Sequence, residues 1–591
     1  MSSSAPAEKE LVASDLVALF ARRVEATPGK TAIRYRQRGV WRTLRWDEWD
    51  RASREIAAGL CAHVGPGERV AIRAETSVAW LQVDLAIALC GAVSVPLFPT
   101  VSDQDASHVL ADSDCVALLV DDPERARGFS SARLVVDLAG ARVGTSLDEL
   151  RAAGRSALAR GEDPLADRVA GLSGGSDLTW VYTSGTTGVP KGVILTHENA
   201  VAEAWALASA IPFNDSDEHL MVLPLAHIFG RHMLWGAILT GAVTSLSQPA
   251  ALERDLIEVA PTFVGGVPRL FERIHERIMA EMTRRPAIER ATWDYSIAVG
   301  REVSQLRQRG RPLPSGLSVR LALADRLALA RVRRAFGDRL RFLISGSAPL
   351  DAEIAEFFHA LGILVLEGYG LTETSGAITV NRPERYRFGT VGPAIPGAEL
   401  AIASDGEILV RGRTVMRGYH GGSGAAAIDA DGWLHTGDLG VIDSGFLKIT
   451  GRKKHLIITS TGKNVAPSRI EGRLRARPGI AEAVVSGDRR PYLVALISLD
   501  EPRLTELSRR EGLGCESYAD LARHPRIRRL VQEHIDAVNQ ELAPYERIKR
   551  FAVPHSPLTE TAGELTPSQK IRRSAVLGRY RSLLDELYEQ T

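Results

Sequence analysis

Tyr182-Thr183-Ser184-Gly185-Thr186-Thr187-Gly188-Val189-Pro190-Lys191-Gly192 is the stretch from which the rest of the chain can be read. It follows an apolar, strand-like start and crowds hydroxyls, glycines and one lysine into a short span. Glycines let the backbone turn tightly and bring N–H groups toward an anion, hydroxyls add hydrogen bonds, and lysine adds a mobile positive charge. That chemistry suits a triphosphate. The stretch is not the GxxxxGK[ST] nucleotide loop, because the lysine is followed by glycine and opens no obvious helix. An ordinary Gly/Thr surface loop has the same composition, so the stretch alone leaves both readings open.

Working outward, the whole chain has 591 residues, enough for several folding units. Hydrophobic residues make up 45% and charged residues 25%, which excludes disordered and fibrous classes. A formal charge of +1 supplies no global field for nucleic acid. Cys61, Cys90, Cys115 and Cys515 have no zinc or disulfide spacing, so a reducing cytoplasm fits best. The polar start Met1-Ser2-Ser3-Ser4-Ala5-Pro6 has no apolar segment behind it and reads as no secretory signal. Apolar runs such as Met233 to Leu246 fall short of the roughly 20 residues that span a bilayer. The expectation is a cytoplasmic protein, with peripheral contact with a membrane left open. Nine lysines against 64 arginines make each lysine worth inspecting.

Through the first 450 or so residues, runs such as Arg69-Val70-Ala71-Ile72, Ala117-Leu118-Leu119-Val120 and Leu134-Val135-Val136 alternate with helix-like segments. This predicts α/β units around mainly parallel sheets. Gly406 to Gly412 and Phe446 to Ile449 read as short strands between turns, the mark of a β-rich subdomain closing the large region. Beyond Gly451 the pattern restarts with Leu456-Ile457-Ile458, Ala483-Val484-Val485 and Leu493 to Ile497, followed by helical stretches from about Glu501 to Leu542. A large α/β domain over 1–452 and a small α+β domain over 453–591 are predicted, with the boundary between Gly451 and Lys454.

The loop at Thr183 to Lys191 resembles the signature of the adenylate-forming superfamily of acyl-CoA synthetases, peptide-synthetase adenylation domains and luciferases, and the other signatures of that family follow in order. The resemblance implies that Thr183, Ser184, Gly185, Thr186, Thr187, Gly188 and Lys191 hold the phosphates of ATP. Leu223-Pro224-Leu225-Ala226-His227-Ile228-Phe229-Gly230-Arg231 resembles the segment lining the acyl carboxylate and tunnel, giving His227, Phe229 and Arg231 as channel residues. Arg231 stands where some long-chain members carry an aromatic gate, and a lone histidine on an apolar run is otherwise an ordinary core residue. Ile344-Ser345-Gly346-Ser347-Ala348-Pro349-Leu350 and Glu367-Gly368-Tyr369-Gly370-Leu371-Thr372-Glu373-Thr374 resemble the adenine and magnesium segments. Tyr369 offers a flat face, Gly346, Ser347, Ala348 and Gly368 a close backbone, and Glu373 a hard oxygen for Mg²⁺. The resemblance adds Thr183 to the metal site and sets Thr372 on the α-phosphate. Taken alone, Glu373 is a solvated acid.

Gly432-Trp433-Leu434-His435-Thr436-Gly437-Asp438-Leu439-Gly440 and Gly451-Arg452-Lys453-Lys454 complete the family pattern. Asp438 can accept from both ribose hydroxyls and Arg452 can donate; the alternative is a turn residue and a surface ion pair. Lys454 matches the family's hinge, and Gly462 in Thr461-Gly462-Lys463-Asn464-Val465 matches the loop lining the pantetheine channel. Gly563-Glu564-Leu565-Thr566-Pro567-Ser568-Gln569-Lys570-Ile571-Arg572 resembles the segment with the catalytic lysine, Lys570. With Lys570, the implied catalytic set is Thr372, Glu373 and His227.

The resemblance runs from Trp41 to Lys570 and implies a large N-terminal domain of two α/β subdomains and a β-rich one, with a small mobile C-terminal domain. The implied reaction activates a carboxylic acid as acyl-AMP with ATP and Mg²⁺ and passes the acyl group to coenzyme A. Val267-Pro268-Arg269-Leu270-Phe271-Glu272, Gly462 to Pro467 and the helical insertion from Glu501 to Ile548 resemble long-chain fatty acyl-CoA synthetases. Rival readings are a ligase delivering to an acyl carrier protein, a luciferase-like oxygenase, and a noncatalytic nucleotide- or lipid-binding homologue.

Overall fold

The apolar runs picked out in the first 140 residues become neighbouring parallel strands. The computed structural model describes residues 13–127, 132–140, 143–184, 190–422, 427–460, 463–566 and 569–589. Arg69–Arg73 lies between Val93–Leu97 and Cys115–Val120, and Leu134–Asp137 continues the sheet, all parallel. Val95, Ile72 and Leu119 are fully buried because helices cover both faces of such a sheet. Val78–Leu89, with Ser77 as N-cap accepting from the Trp80 N–H, supplies one of these covers. On the other edge Val93–Leu97 meets Asp177–Ser184, which turns back antiparallel into Pro190–Thr196. Thr183 stands directly opposite Lys191 across this pair of strands.

A second eight-stranded sheet runs in the order Gly376–Val380, Leu364–Leu371, Phe342–Ser345, Phe263–Gly266, Glu218–Met221, Val243–Leu246, Thr31–Gln37, Val40–Arg45. Its middle strands are parallel. The run from Met233 to Leu246 is not one element. Gly241, in the left-handed region at φ 82, caps the helix Ile228–Thr240 and lets the chain re-enter as the strand Val243–Leu246. A four-stranded antiparallel sheet, Ala398–Ile402, Glu407–Gly412, Leu434–Asp443 and Phe446–Arg452, is the expected β-rich unit. The fold class predicted from sequence is borne out.

Beyond Arg452 a short turn, Lys453–His455, leads into a separate apolar cluster built on Ile480–Ser486, Leu493–Leu499 and Ile548–Ala552. Helices Glu501–Glu511, Tyr518–Arg523 and Pro525–Gln540 fill the interval before the last strand. Among the described residues no helix is long and apolar enough to cross a membrane.

Candidate active site

Three segments of the candidate site leave the second sheet at the carboxyl ends of parallel neighbours, the usual place for a ligand crevice in such sheets. Leu223 to His227 follows Glu218–Met221, Gly346 to Ala348 follows Phe342–Ser345, and Tyr369 to Glu373 ends Leu364–Leu371. His227 is the N-cap of Ile228–Thr240, its Nδ1 accepting from the Phe229 N–H at 3.1 Å. That bond fixes Nδ1 as acceptor. Burial, then the charge of Lys570, holds the imidazole down at about 3, so it is neutral and offers Nε2–H. Phe229 lies against Gly346, where a Cβ would come within 3.2 Å of the ring. Ser347 is in the left-handed region at φ 71, a strained conformation of the kind found at ligand sites.

Gly370 must be glycine: a Cβ would sit 1.7 Å from the Gly376 carbonyl oxygen, in the antiparallel pairing of Leu364–Leu371 with Gly376–Val380. This tight hairpin sets Tyr369, whose hydroxyl donates to Asp438 Oδ2 at 2.7 Å. Asp438 stands directly opposite Arg452 across two strands and accepts from Arg452 Nε at 2.6 Å. Burial opposes the charge on Arg452, but Asp438 outweighs it and the guanidinium pKa is raised. The other partner, Tyr369, is pushed well up by burial and then by Asp438. Glu367, two residues before Tyr369, accepts from the Leu350 N–H at 3.1 Å and is pushed by burial up to about 8.

Glu373 sits with Thr372 in a one-turn helix, and its Oε1 accepts from the Tyr419 hydroxyl at 2.7 Å. Lys191 Nζ stands 5.7 Å from the centre of the Tyr419 ring. Sequence reasoning missed Tyr419. It belongs to the two-residue strand Gly418–Tyr419 that pairs with Val193 and Ile194, a contact no local signal announces. Glu407 was also missed: it accepts from the Gly437 N–H at 2.8 Å and from Lys453 Nζ at 3.1 Å, shaping the turn that presents Asp438.

Lys570 arrives from the far end of the chain. Its backbone is tied to Thr566 by two hydrogen bonds, and Gln569 before it takes the left-handed region at φ 61. Lys570 is an exposed residue, yet protein gathered around its side chain takes part of its hydration. Loss of hydration there lowers its pKa, Arg452 lowers it further, and Asp438 and Glu373 oppose them. The ammonium is thus within electrostatic reach of His227, Glu373, Asp438 and Arg452 together. Contacts across the cleft hold this arrangement: Arg572 to Asp105 at 3.1 Å, Arg503 to Glu276 at 3.2 Å, and Arg269, which pairs with Glu482 and donates to the Ala481 carbonyl at 3.0 Å.

Arg231 does not stand as a free gate. It is fully buried, donates to both Asp84 oxygens at 2.9 Å and to Thr179 Oγ1 at 2.9 Å, and lies near the rings of Trp80 and Trp235. Lys454 is exposed in the turn Lys453–His455, while its neighbour Lys453 ties that turn to Asp405 at 2.5 Å. Gly368 and Ala348 take their places beside Tyr369 and Ser347. Gly185, Thr186, Thr187, Gly188, the Ser184 side chain and Gly462 lie outside the described residues.

The donor set fits ATP and Mg²⁺. Each Asp438 oxygen keeps a lone pair beyond those taken by Tyr369 and Arg452, enough for a ribose diol. Among the described residues no three His, Cys, Asp or Glu side chains gather as a metal cage. A lone carboxylate such as Glu373 matches Mg²⁺, which is commonly bound by one or two carboxylates together with substrate phosphates.

The AMP-binding enzyme family model matches residues 20–420, and the model of the AMP-binding enzyme C-terminal domain matches 454–591. The chain belongs to the AMP-binding enzyme family. This AMP-binding enzyme is 35% identical over 570 residues to the long-chain-fatty-acid–CoA ligase FadD15 of Mycobacterium bovis, covering 93% of each chain. It is 32% identical over 441 residues to the human long-chain-fatty-acid–CoA ligase ACSBG2, covering 69% of this chain and 66% of that protein. Among solved structures, the adenylation domain of a carboxylate reductase from Mycobacterium chelonae matches with TM-score 0.74 at 23% identity, covering 98% of this chain and 92% of that one. The o-succinylbenzoate coenzyme A synthetase of Bacillus subtilis, in complex with ATP and magnesium, matches with TM-score 0.66 at 23% identity, covering 94% and 98%. At these identities the structural matches speak for the fold.

Proposed function

We propose that this AMP-binding enzyme activates a long-chain fatty acid as its acyl-adenylate and transfers the acyl group to coenzyme A. The observation that carries the reading is the convergence of Lys570 with His227, Glu373, Asp438 and Arg452, contributed by distant parts of the chain. Relatives named long-chain-fatty-acid–CoA ligase over nearly the whole length support the choice of acid and acceptor.

In this reading Asp438 and Arg452 hold the ribose, and Tyr369 with Gly346, Ser347, Ala348 and Gly368 walls the adenine. Thr183, Lys191 and Thr372 meet the phosphates, together with Ser184, Gly185, Thr186, Thr187 and Gly188. Glu373 and Thr183 would hold Mg²⁺, which neutralises triphosphate charge when bound. His227, fixed as an Nε2–H donor, orients the fatty carboxylate for in-line attack on the α-phosphorus. Lys570, within electrostatic reach of Glu373 and Asp438, stabilises the charge that develops there. We place the domain boundary at 452/453 and the hinge at Lys454, so that turning the small domain withdraws Lys570 and brings the Gly462 loop in for the thiol. Phe229 and the wall at Arg231 line the start of the acyl path.

The test is incubation of purified protein with ATP, Mg²⁺ and palmitate, with and without coenzyme A, following AMP and palmitoyl-CoA. Wild type is expected to form palmitoyl-CoA, and Lys570→Ala to lose adenylation by at least about a hundredfold. Adenylate that accumulates with coenzyme A present would overturn the acceptor in favour of a carrier protein. No AMP from any fatty acid would overturn the reading as a whole.

A further inference from the structure

A helix that carries an exposed apolar stripe besides its core-facing one presents a second surface to bury, against a partner or against lipid. The run Ser315–Ala324, Asp325–Leu329 and Ala330–Arg334 is continuous, and its inward residues Leu317, Ala324 and Leu329 are buried. Its outward side carries an apolar stripe as well: Val319, Leu323 and Leu327 are 70%, 51% and 52% exposed. They recur every four residues, and the π-helical turn Asp325–Leu329, with its wider repeat, offsets the drift of that spacing, so all three stay on one face. The inner side is loosely filled as well. A cavity of about 360 Å³ lies beneath the run, lined in part by Leu321, Val303 and His359.

Charge around this stripe departs sharply from the chain as a whole. Between residues 307 and 334 stand eight arginines and a single acid, Asp325, whereas the entire chain carries a formal charge of +1. Arg320 is answered by Glu302 at 3.1 Å and Arg333 by Asp325 at 2.5 Å. Arg326, Arg331 and Arg334 are exposed and have no ion-pair partner among the described residues. An apolar ridge flanked by unanswered guanidiniums complements one kind of surface: hydrocarbon beneath a layer of negative headgroups.

We propose that the helical run Ser315–Arg334 is a docking surface for an anionic lipid bilayer, with Val319, Leu323 and Leu327 entering the interface and Arg326, Arg331 and Arg334 meeting headgroup phosphates. The inference is independent of the proposed reaction, because its readout is binding to lipid. The experiment is sedimentation of the full chain with vesicles of phosphatidylcholine alone and of phosphatidylcholine with phosphatidylglycerol. Wild type is expected to bind the anionic vesicles about tenfold or more tightly than the neutral ones, and to be released as salt rises from about 0.1 to about 0.5 M.

The variant Leu323→Glu/Leu327→Glu should lose about tenfold or more of that binding, and Arg326→Gln/Arg331→Gln/Arg334→Gln should abolish the preference for anionic vesicles. All five positions are exposed, so the thermal unfolding midpoint and the turnover of a short soluble acid are expected to stay at wild-type values. Equal binding by wild type and the glutamate variant would overturn the proposal. So would equal affinity for neutral and anionic vesicles. A third overturning result is a wild-type dimer that the glutamate variant dissociates without any vesicle binding, which would give the stripe to a second copy of the chain.

Discussion

Arg231 stands one helical turn beyond His227 and is locked in place by Asp84, Thr179 and two tryptophan faces. Burial raises the Asp84 pKa against the pull of Arg231, the usual tension of a desolvated pair. Removing one partner leaves the other charge stranded, so Arg231→Met is expected to cost about 3–5 kcal/mol. The double variant Arg231→Met/Asp84→Leu should recover most of that loss, and urea unfolding midpoints check both. At Tyr419 the ring lies below Lys191 while the hydroxyl orients Glu373. Tyr419→Phe keeps the ring and removes a bond to a charged group, a loss of about 1.5–3 kcal/mol. Adenylation kcat/KM should fall roughly tenfold with a raised Mg²⁺ requirement, read by pyrophosphate exchange across a magnesium series; an unchanged requirement would remove Tyr419 from the proposed metal site. Neither residue's role could be read locally, since Asp84 is 147 positions from Arg231 and Glu373 is 46 from Tyr419.

Between elements, the cleft is set by a few ion pairs. The helix Pro268–Thr283 supplies Arg269 and Glu276 to the small domain, and Asp105 on the helix Asp103–Asp112 receives Arg572 two residues after Lys570. The partly exposed pairs Arg503–Glu276 and Arg572–Asp105 contribute about 0.2–1 kcal/mol each, so they bias an arrangement without locking it. Arg503→Ala/Arg572→Ala should therefore lower the population with Lys570 in the cleft and slow acyl-adenylate formation roughly three- to tenfold. Transfer from supplied acyl-adenylate to coenzyme A should be unchanged or faster, and single-turnover assays of each half-reaction separate the two. The elements themselves were legible where the pattern was periodic: Arg69 to Ile72 and Leu134 to Val136 did become strands. Met233 to Leu246 was not legible as helix plus strand, because hydropathy is continuous across Gly241 while backbone conformation is not.

For the molecule as a whole, buried histidines set a pH limit. Burial holds His197 down at about 4 and His219 at about 3, and His359 at about 4. Below about 6.5 the unfolded chain takes up protons at these positions and the folded chain does not, so stability falls as pH drops. The contribution is complete above about 6.5 and is lost progressively toward the folded-state values, each group adding a slope of about 1.4 kcal/mol per pH unit. Denaturant unfolding at pH 7.5 and pH 5.5 should show a marked loss at the lower pH, and His197→Asn should flatten that dependence.

Order along the chain was enough to determine the family and the broad architecture, because each signature keeps a local chemical need: glycine where backbone must approach, as at Gly370, or a carboxylate beside an arginine across a strand pair, as at Asp438 and Arg452. Tertiary structure alone decided which of these residues share a cleft, how Arg231 is held, and that Tyr419 and Glu407 support the site. The physical reason is one of range. Periodicity and turn chemistry act over a few residues, whereas hydrogen bonds and charge act through space between residues whose separation along the chain carries no signal.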